Sequence, residues 1–307
     1  MRVLMISGDK NIEREGTSAH ERFKLQAGVV EKLTLVVWPR DFFAPLFLRG
    51  PFDVVTSQDP FWRGLVALVA AKRLKVPLNV QLHADLSQQS IVKKIIAGMV
   101  LRRANSVRVV SEELQTYVAS MTSAPVSVLP VFIDAARFAQ LEKVPHSTFK
   151  KVILWIGRFE DEKDPLLALE TLRVVRGAGI DAGLVMLGKG SLESALRAKS
   201  IQLGLTKHVE FAGWQDPLPH LKKADVVLCT SRAESYGASI IEALAAGIPV
   251  VSPPVGVALK AGAIVAERAE LPQKTIEVLH EGTKGKLQIS LPTAQEWARQ
   301  WKHTLQS

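Results

Sequence analysis

The sequence predicts an α/β protein built from two successive open parallel sheets, each covered by helices on both faces. Short β-branched runs alternate with longer helical stretches almost from end to end. The alternation lapses once, in a polar stretch at 139–151, and then starts again. Strands separated by helices need crossover connections, and crossovers make parallel sheets.

In the first half, apolar runs at 3–7, 33–38, 53–56, 78–83, 106–110 and 126–129 read as strands. Between them, 18–27, 62–73, 90–103 and 112–120 read as helices. The lapse contains Glu142, Lys143, Pro145 and Ser147, a linker composition that separates a first domain, 1–140, from a second, 151–290. The second domain opens with a strand at 152–156. Asp164 supplies a capping carboxylate and Pro165 a first-turn proline for a helix at 166–176. A strand at 183–187 leads to a helix from Ser191 to near Gly204. Strands at 209–212 and 226–229 flank a short helix, a helix at 239–246 stops at Gly247, and a strand covers 249–252. The segment 291–307 holds a last amphipathic helix, 293–305, placed to return to the first domain. Two such sheets in succession predict a cleft between facing domains, since open α/β sheets bind ligands at the carboxyl ends of their strands.

Hydrophobic residues make up 47% and charged residues 22%, which supports a packed core and excludes a disordered chain. The only cysteine, Cys229, lies in the apolar run Val226–Cys229, so it reads as a buried strand residue, and no internal disulfide can form. The apolar run 1–6 is too short for a signal peptide, and no window of about 18 uncharged apolar residues occurs. A cytoplasmic location follows as the expectation. The formal charge of +9 points to anionic partners: phosphorylated small molecules, an acidic membrane surface or nucleic acid. No motif supports the last.

The most informative stretch is Ser231–Val251. It sets Glu234 in a loop and Glu242 early in a helix, eight positions apart, with Ser235, Tyr236 and Gly237 making a strand-to-helix turn between them. A helix amino terminus offers unpaired N–H groups and the positive end of a dipole, which suits a diphosphate. A nearby carboxylate can accept from two ribose hydroxyls. The plainer reading makes Glu242 a dipole partner and Glu234 a solvated charge. A second cluster follows the strand at 152–156: Gly157, Arg158 and, five residues later, Lys163. Two cations there can meet the charge growing on a leaving diphosphate. Taken alone, pairing with Glu160, Asp161 and Glu162 on a wet surface is the stronger reading.

Together these residues resemble the retaining GT-B glycosyltransferases of family four (glycosyl transferase group 1). The resemblance covers nearly all of the C-terminal half: Gly157-Arg158 with Lys163, Leu187-Gly188-Lys189-Gly190, Phe211-Ala-Gly213-Trp214, and Glu234 to Glu242 followed by Ala243-Leu-Ala-Ala-Gly247-Ile-Pro249. In the first half, 52–60, Val80-Gln-Leu-His83 and Arg102-Arg-Ala-Asn-Ser-Val107 look like the acceptor domain. The resemblance implies two Rossmann-like domains and transfer of a sugar from a nucleoside-diphosphate donor to an acceptor hydroxyl in glycan, lipopolysaccharide or glycolipid synthesis. It makes Arg158 and Lys163 ligands of the donor diphosphate, Glu242 of the ribose and Glu234 of the donor sugar. Ser235, Tyr236, Gly237, Ala238 and Ser239 line the phosphate and sugar region, and Gly188, Gly190 and Trp214 approach the base. His83 matches the histidine near the transferred sugar; its plainer reading is a satisfied strand-end histidine. The nucleotide sugar is a substrate, and neither cofactor nor metal is expected. The departures are specific. The first loop offers only Gly8 and Gly16, of which Gly16 is assigned to the donor, Pro130–Asp134 lacks an Asn-Gly turn, and Ser235 stands where glycine is common.

Other signals are weaker. The run Gly183–Lys189 nearly spells a P-loop, but Gly190 replaces the required Ser or Thr. The histidines show no metal-ligand spacing, and no Asp-x-Asp pair or Gly-x-Ser-x-Gly elbow occurs. The segment 91–103 is apolar at 91, 95 and 99 and at 92, 96 and 100, with Lys93, Lys94, Arg102 and Arg103 as its charges. A helix packed on its sheet with a charged outer face is the favoured reading; a basic amphipathic helix lying on an anionic membrane is the other. The run 42–49 carries the same pair of readings. Two rivals to transfer stay open: a nucleotide-sugar epimerase of the same fold, for which the first half offers no strong acid/base carboxylates, and a non-catalytic nucleotide-sugar-binding subunit.

Overall fold

The computed structural model describes residues 1–41, 44–83, 86, 89–139 and 141–306. The chain divides into two compact units, Met1–Phe132 with Pro292–Ser307, and Ile133–Leu291.

The first unit runs β1 (Arg2–Ser7), α1 (Ser18–Ala27), β2 (Lys32–Val37), α2 (Ala44–Phe47), β3 (Val54–Ser57), α3 (Trp62–Leu74), β4 (Leu78–Leu82), α4 (Ile91–Leu101), β5 (Ser106–Val109), α5 (Glu112–Ala119) and β6 (Val126–Val128). The strands pair in parallel in the order β2-β1-β3-β4-β5-β6. Val3, Leu4, Met5 and Ile6 of β1 are all fully buried. That is why β1 reads as a continuous apolar run: a parallel strand with both faces covered needs apolar side chains at every position. The Thr17 and Ser111 hydroxyls accept N–H groups at the starts of α1 and α5.

The second unit runs β7 (Lys151–Ile156), α6 (Pro165–Gly177), β8 (Ala182–Leu187), α7 (Glu193–Gln202), β9 (Val209–Gly213), α8 (Leu218–Leu221), β10 (Val226–Leu228), α9 (Ala238–Ala245), β11 (Val250–Ser252), α10 (Ala258–Ala261), β12 (Ile264–Val265) and α11 (Leu271–Glu281). Its sheet is again all parallel, in the order β12-β11-β10-β7-β8-β9. Alternate residues of β7 enter separate cores, Val152 and Leu154 on one face, Ile153 and Trp155 on the other. Two parallel sheets with helices between their strands are therefore the architecture, as the alternation of runs predicts.

The helix α12 (Ala294–Thr304) completes the first unit. Thr293 and Glu296 form a reciprocal capping box at its start. Trp297 and Trp301 are buried against β1 and β3 residues in one core cluster. At its far end the Thr304 carbonyl accepts from Asn79 Nδ2 at 2.8 Å and Ser106 Oγ at 3.1 Å, which satisfies an acceptor that a helix end leaves open.

Two local readings change. The units divide at Phe132/Ile133, ahead of the polar stretch, because Ile133 and Phe138 already pack into the core of the second unit. The outer face of α4 is not simply charged. The helix packs through Ile96, Ala97, Val100 and Leu101, which leaves Ile91, Val92, Ile95 and Met99 exposed. In the run 42–49, residues 42 and 43 lie outside the described residues. Phe47 is exposed. Among the described residues no helix is long and apolar enough to cross a membrane.

Candidate functional site

From β7 the second sheet grows both ways, toward β8 and β9 on one side and β10 to β12 on the other. Doubly wound sheets take ligands at such a reversal, beyond the carboxyl ends of the two strands. The loop after β7 carries Gly157, Arg158 and Lys163; the loop after β10 carries Ser231 to Gly237.

Several hydrogen bonds fasten these loops together. The Arg232 N–H donates to the Glu162 carbonyl at 2.8 Å. The Thr230 hydroxyl accepts from the Trp155 indole N–H at 2.9 Å and lies 2.8 Å from the carbonyls of both Lys163 and Asp164. Lys163 Nζ donates to Glu234 Oε1 at 2.6 Å, and that oxygen also accepts from Ser231 Oγ at 2.8 Å. The Lys163 and Glu234 side chains are only 16% and 14% exposed, so salt screens this pair less than a surface one.

Asp164 does not cap α6. Its backbone is left-handed, with φ at 42°, and no side-chain bond reaches the helix N–H groups. Its carboxylate instead pairs with Arg232, at 2.8 Å, and with Arg268. Arg158 points outward, 60% exposed, and pairs with Glu162.

The glycines hold the loops in close contact. A Cβ on Gly188 would overlap the Gly157 carbonyl, and one on Gly190 would overlap the Phe159 carbonyl. The N–H groups of Gly157, Phe159 and Gly188 donate to Leu187, Lys189 and Gly213 at 3.0, 3.0 and 2.9 Å. Glu160 completes the seam by accepting from the N–H and hydroxyl of Ser191 at 2.9 and 2.6 Å. Trp214, 63% exposed, follows directly. The seam accounts for Gly188-Lys-Gly190 through backbone packing, with no flexible phosphate cradle required.

Gly237, with φ at 100°, turns the chain into α9. Ala238 is exposed and Ser239 half-buried at the helix start, and Glu242 is half-buried a turn later. The loop before it, Ser235 and Tyr236, rests on Gly256, where a Cβ would meet the Tyr236 carbonyl; the Val257 N–H bonds that carbonyl at 2.8 Å. Burial raises the Tyr236 phenol above its ordinary range. Thr230, Arg232, Gly256 and Arg268 support the site without having been singled out from the sequence. Gly256 sits in a Pro-Pro-Val-Gly turn signal; Arg268 lies far along the chain with no local pattern to mark it.

His83 and Gly16 belong to the first unit. Gly16 stands in the turn before α1 with φ at 76° and open space around it. His83 follows β4 and lines a cavity of about 270 Å³ together with Gly8, Asp9, Arg22, Gln58, Arg63 and Arg108. This cavity lies at the reversal of the first sheet, where β2 leaves β1 on one side and β3 on the other. Burial of the ring, reinforced by the charges of Arg108 and Arg22, pushes the His83 pKa down to about 3. The imidazole is therefore neutral at physiological pH. The Arg63 guanidinium occupies the space a Cβ on Gly8 would need and pairs with Asp59.

Residues 150–281 match the family described as Glycosyl transferases group 1, which is most of the second unit. A 2-deoxystreptamine glucosyltransferase of Streptomyces kanamyceticus is 30% identical over 236 residues, covering 68% of this chain and 61% of that one. The chain spans less than two thirds of the curated relatives it matches first, from 29% to 61% of their length. Among solved structures, Anabaena HepE in complex with UDP and glucose superposes with a TM-score of 0.76 at 15% identity, over 100% of both chains. Sucrose-phosphate synthase from Thermosynechococcus elongatus gives 0.73 at 14% identity, over 100% of this chain and 94% of the other. These likenesses establish the fold as GT-B: two Rossmann-like units, each with a parallel six-stranded sheet.

Proposed function

We propose that this protein is a glycosyltransferase that moves a sugar from a nucleoside-diphosphate donor to an acceptor hydroxyl with retained anomeric configuration, within glycan, lipopolysaccharide or glycolipid synthesis. The observation that carries the reading is the Lys163–Glu234 pair at the reversal of the second sheet, inside the segment that matches the glycosyl transferases group 1 family. A UDP-sugar is the first donor to test, since the HepE structure of the same fold was solved with UDP and glucose.

In this reading a bond forms between the acceptor oxygen and the anomeric carbon while the bond from that carbon to the β-phosphate oxygen breaks. The electron pair of the broken bond stays on the diphosphate, which also takes the acceptor proton. Lys163, Arg158 and the N–H groups opening α9 offset the charge arriving on the diphosphate, so no metal ion is required. Ser235, Tyr236, Gly237, Ala238 and Ser239 line the phosphates and sugar. Glu234 steadies Lys163 while the site is empty and accepts from donor-sugar hydroxyls when it is filled. Glu242 holds the ribose, Gly157, Gly188, Gly190 and Trp214 border the nucleoside, and Gly16 reaches the donor phosphates. His83, as a neutral imidazole, exchanges hydrogen bonds with a sugar hydroxyl.

The acceptor sits with the first unit. Peripheral contact with an anionic membrane on its cytoplasmic side is supported by α4, whose exposed Ile91, Val92, Ile95 and Met99 lie beside Lys93 and Lys94. The test is thermal stabilisation by UDP, GDP, ADP and their sugar conjugates, followed by turnover of the stabilising donor. Stabilisation by a nucleoside diphosphate with release of nucleotide and sugar transfer supports the reading. Binding with no turnover of any donor would favour a non-catalytic subunit, and no binding at all would overturn the assignment.

A further inference from the structure

We propose that the cavity of the first unit is an oxyanion site, built on Arg108 and Arg22, that grips a phosphate or carboxylate group of the acceptor. Naming the ligand as the acceptor rests on the glycosyltransferase reading; the oxyanion chemistry does not.

Arg108 carries the argument. It stands in β5 with only 2% of its surface exposed. Its guanidinium donates to the carbonyls of Leu129 and Pro130, each at 2.9 Å, and to Gln81 Oε1 at 2.6 Å. All three acceptors are neutral, and among the described residues no carboxylate pairs with it. A buried arginine without a counter-charge is costly, and folded proteins ordinarily pair one. Burial, helped by the charge of Arg22, lowers the Arg108 pKa to about 9, still cationic at neutral pH.

The surroundings keep that charge in place, with no carboxylate bonded to it among the described residues. Gln81 cannot turn its amide to escape: its Nε2 donates to Thr56 Oγ1 at 2.9 Å, Thr56 donates to Asn79 at 2.8 Å, and Asn79 donates to Ser106 Oγ and to the end of α12. This chain of bonds fixes the Gln81 oxygen toward Arg108. The Trp297 ring packs on the guanidinium, 5.4 Å from its centroid. A guanidinium has five N–H donors, and these bonds use three. Arg22, Arg63 and Asp9 line the same cavity, and Asp59 pairs with Arg63. A purely structural staple between β5 and the 129–130 turn needs the three bonds. It does not need a permanent charge facing a second arginine. At about 270 Å³ the cavity has room for an oxyanion and part of the group that carries it.

The experiment titrates the full chain with inorganic phosphate at constant ionic strength, balanced with chloride, and follows the melting temperature; a parallel series uses UDP. Phosphate should raise the melting temperature of the wild type, and Arg22→Ala should weaken its binding at least tenfold while the UDP shift persists. Arg108→Gln should do the same; if it fails to fold, Arg22→Ala alone decides. Lys163→Ala should abolish the UDP shift and spare the phosphate shift. The absence of a phosphate shift in the wild type, or its loss in Lys163→Ala instead of Arg22→Ala, would overturn the site. Loss of both shifts in Arg22→Ala would assign the cavity to the donor diphosphate and overturn the acceptor assignment. A phosphate shift with no response to any nucleoside diphosphate would leave the oxyanion site standing and sink the glycosyltransferase reading.

Discussion

The Lys163 ammonium meets the Glu234 carboxylate at 2.6 Å across the loops that leave β7 and β10, so changing either residue alters the other. Lys163→Ala removes a cation from the proposed diphosphate site and strands a carboxylate that is 14% exposed. We expect at least a tenfold loss of transfer rate (about 1.4 kcal/mol in the barrier) and a loss of about 1–3 kcal/mol in stability. Adding Glu234→Gln should restore part of the stability and none of the rate. Steady-state kinetics and urea unfolding on the same samples check this; recovery of both together would mean the pair is only structural.

Gly188 and Gly177 should respond oppositely to alanine. The Cβ of Gly188→Ala falls on the Gly157 carbonyl, so we expect destabilisation at or above about 3 kcal/mol, with loss of donor binding. Gly177 ends α6 with open space around it and an ordinary backbone, so Gly177→Ala should be neutral or stabilise by up to about 1 kcal/mol. Chemical denaturation midpoints of the two variants settle the comparison.

His83 makes the protein sensitive to mild acid. Its folded pKa is about 3 against an ordinary 6.5, so between these values the unfolded chain binds a proton that the folded chain refuses. Stability is thus fully present above pH 6.5 and falls as the pH drops, by about 2 kcal/mol at pH 5 from this group alone. His83→Asn should flatten that part of the profile. Melts of both proteins from pH 7.5 to pH 5 test it, and parallel profiles would mean the ring titrates normally.

The exposed apolar stripe of α4 makes a membrane prediction. The wild type should co-sediment with vesicles of anionic phospholipid and not with purely zwitterionic ones. Ile95→Asn together with Met99→Asn should reduce that binding several-fold, and Lys93→Glu should reduce it while flattening its dependence on salt. Equal sedimentation with both vesicle types would remove the membrane from the proposal.

Much of this could be read from the residues because both faces of each sheet are covered. Buried parallel strands such as β1 and β8 are forced to be continuously apolar, which makes them conspicuous. The cap at Thr17 and the box at Thr293–Glu296 mark helix starts just as clearly. Strand order is another matter. Nothing local in the text of β10 says that it lies beside β7, so the meeting of Lys163 with Glu234 depends on topology. The Arg108 cavity was hidden for a related reason. An arginine between two valines in Ser106–Val109 reads as the polar face of a strand, and only the assembled sheet makes that face an interior. The helix α11 carries an apolar stripe and a proline in its first turn, a local signal for a helix; β12, two residues long, gives none.

Because α12 is made after the second unit and yet walls the core of the first, the first unit cannot finish folding while the ribosome is still translating the second. Until Trp297 and Trp301 emerge, the apolar floor beneath β1 and β3 is bare, and Asn79 lacks its carbonyl partner at Thr304. Synthesis order and folding order are thereby uncoupled: the second unit matures first, while Met1–Phe132 waits, exposed to chaperones and proteases, for the helix that seals it.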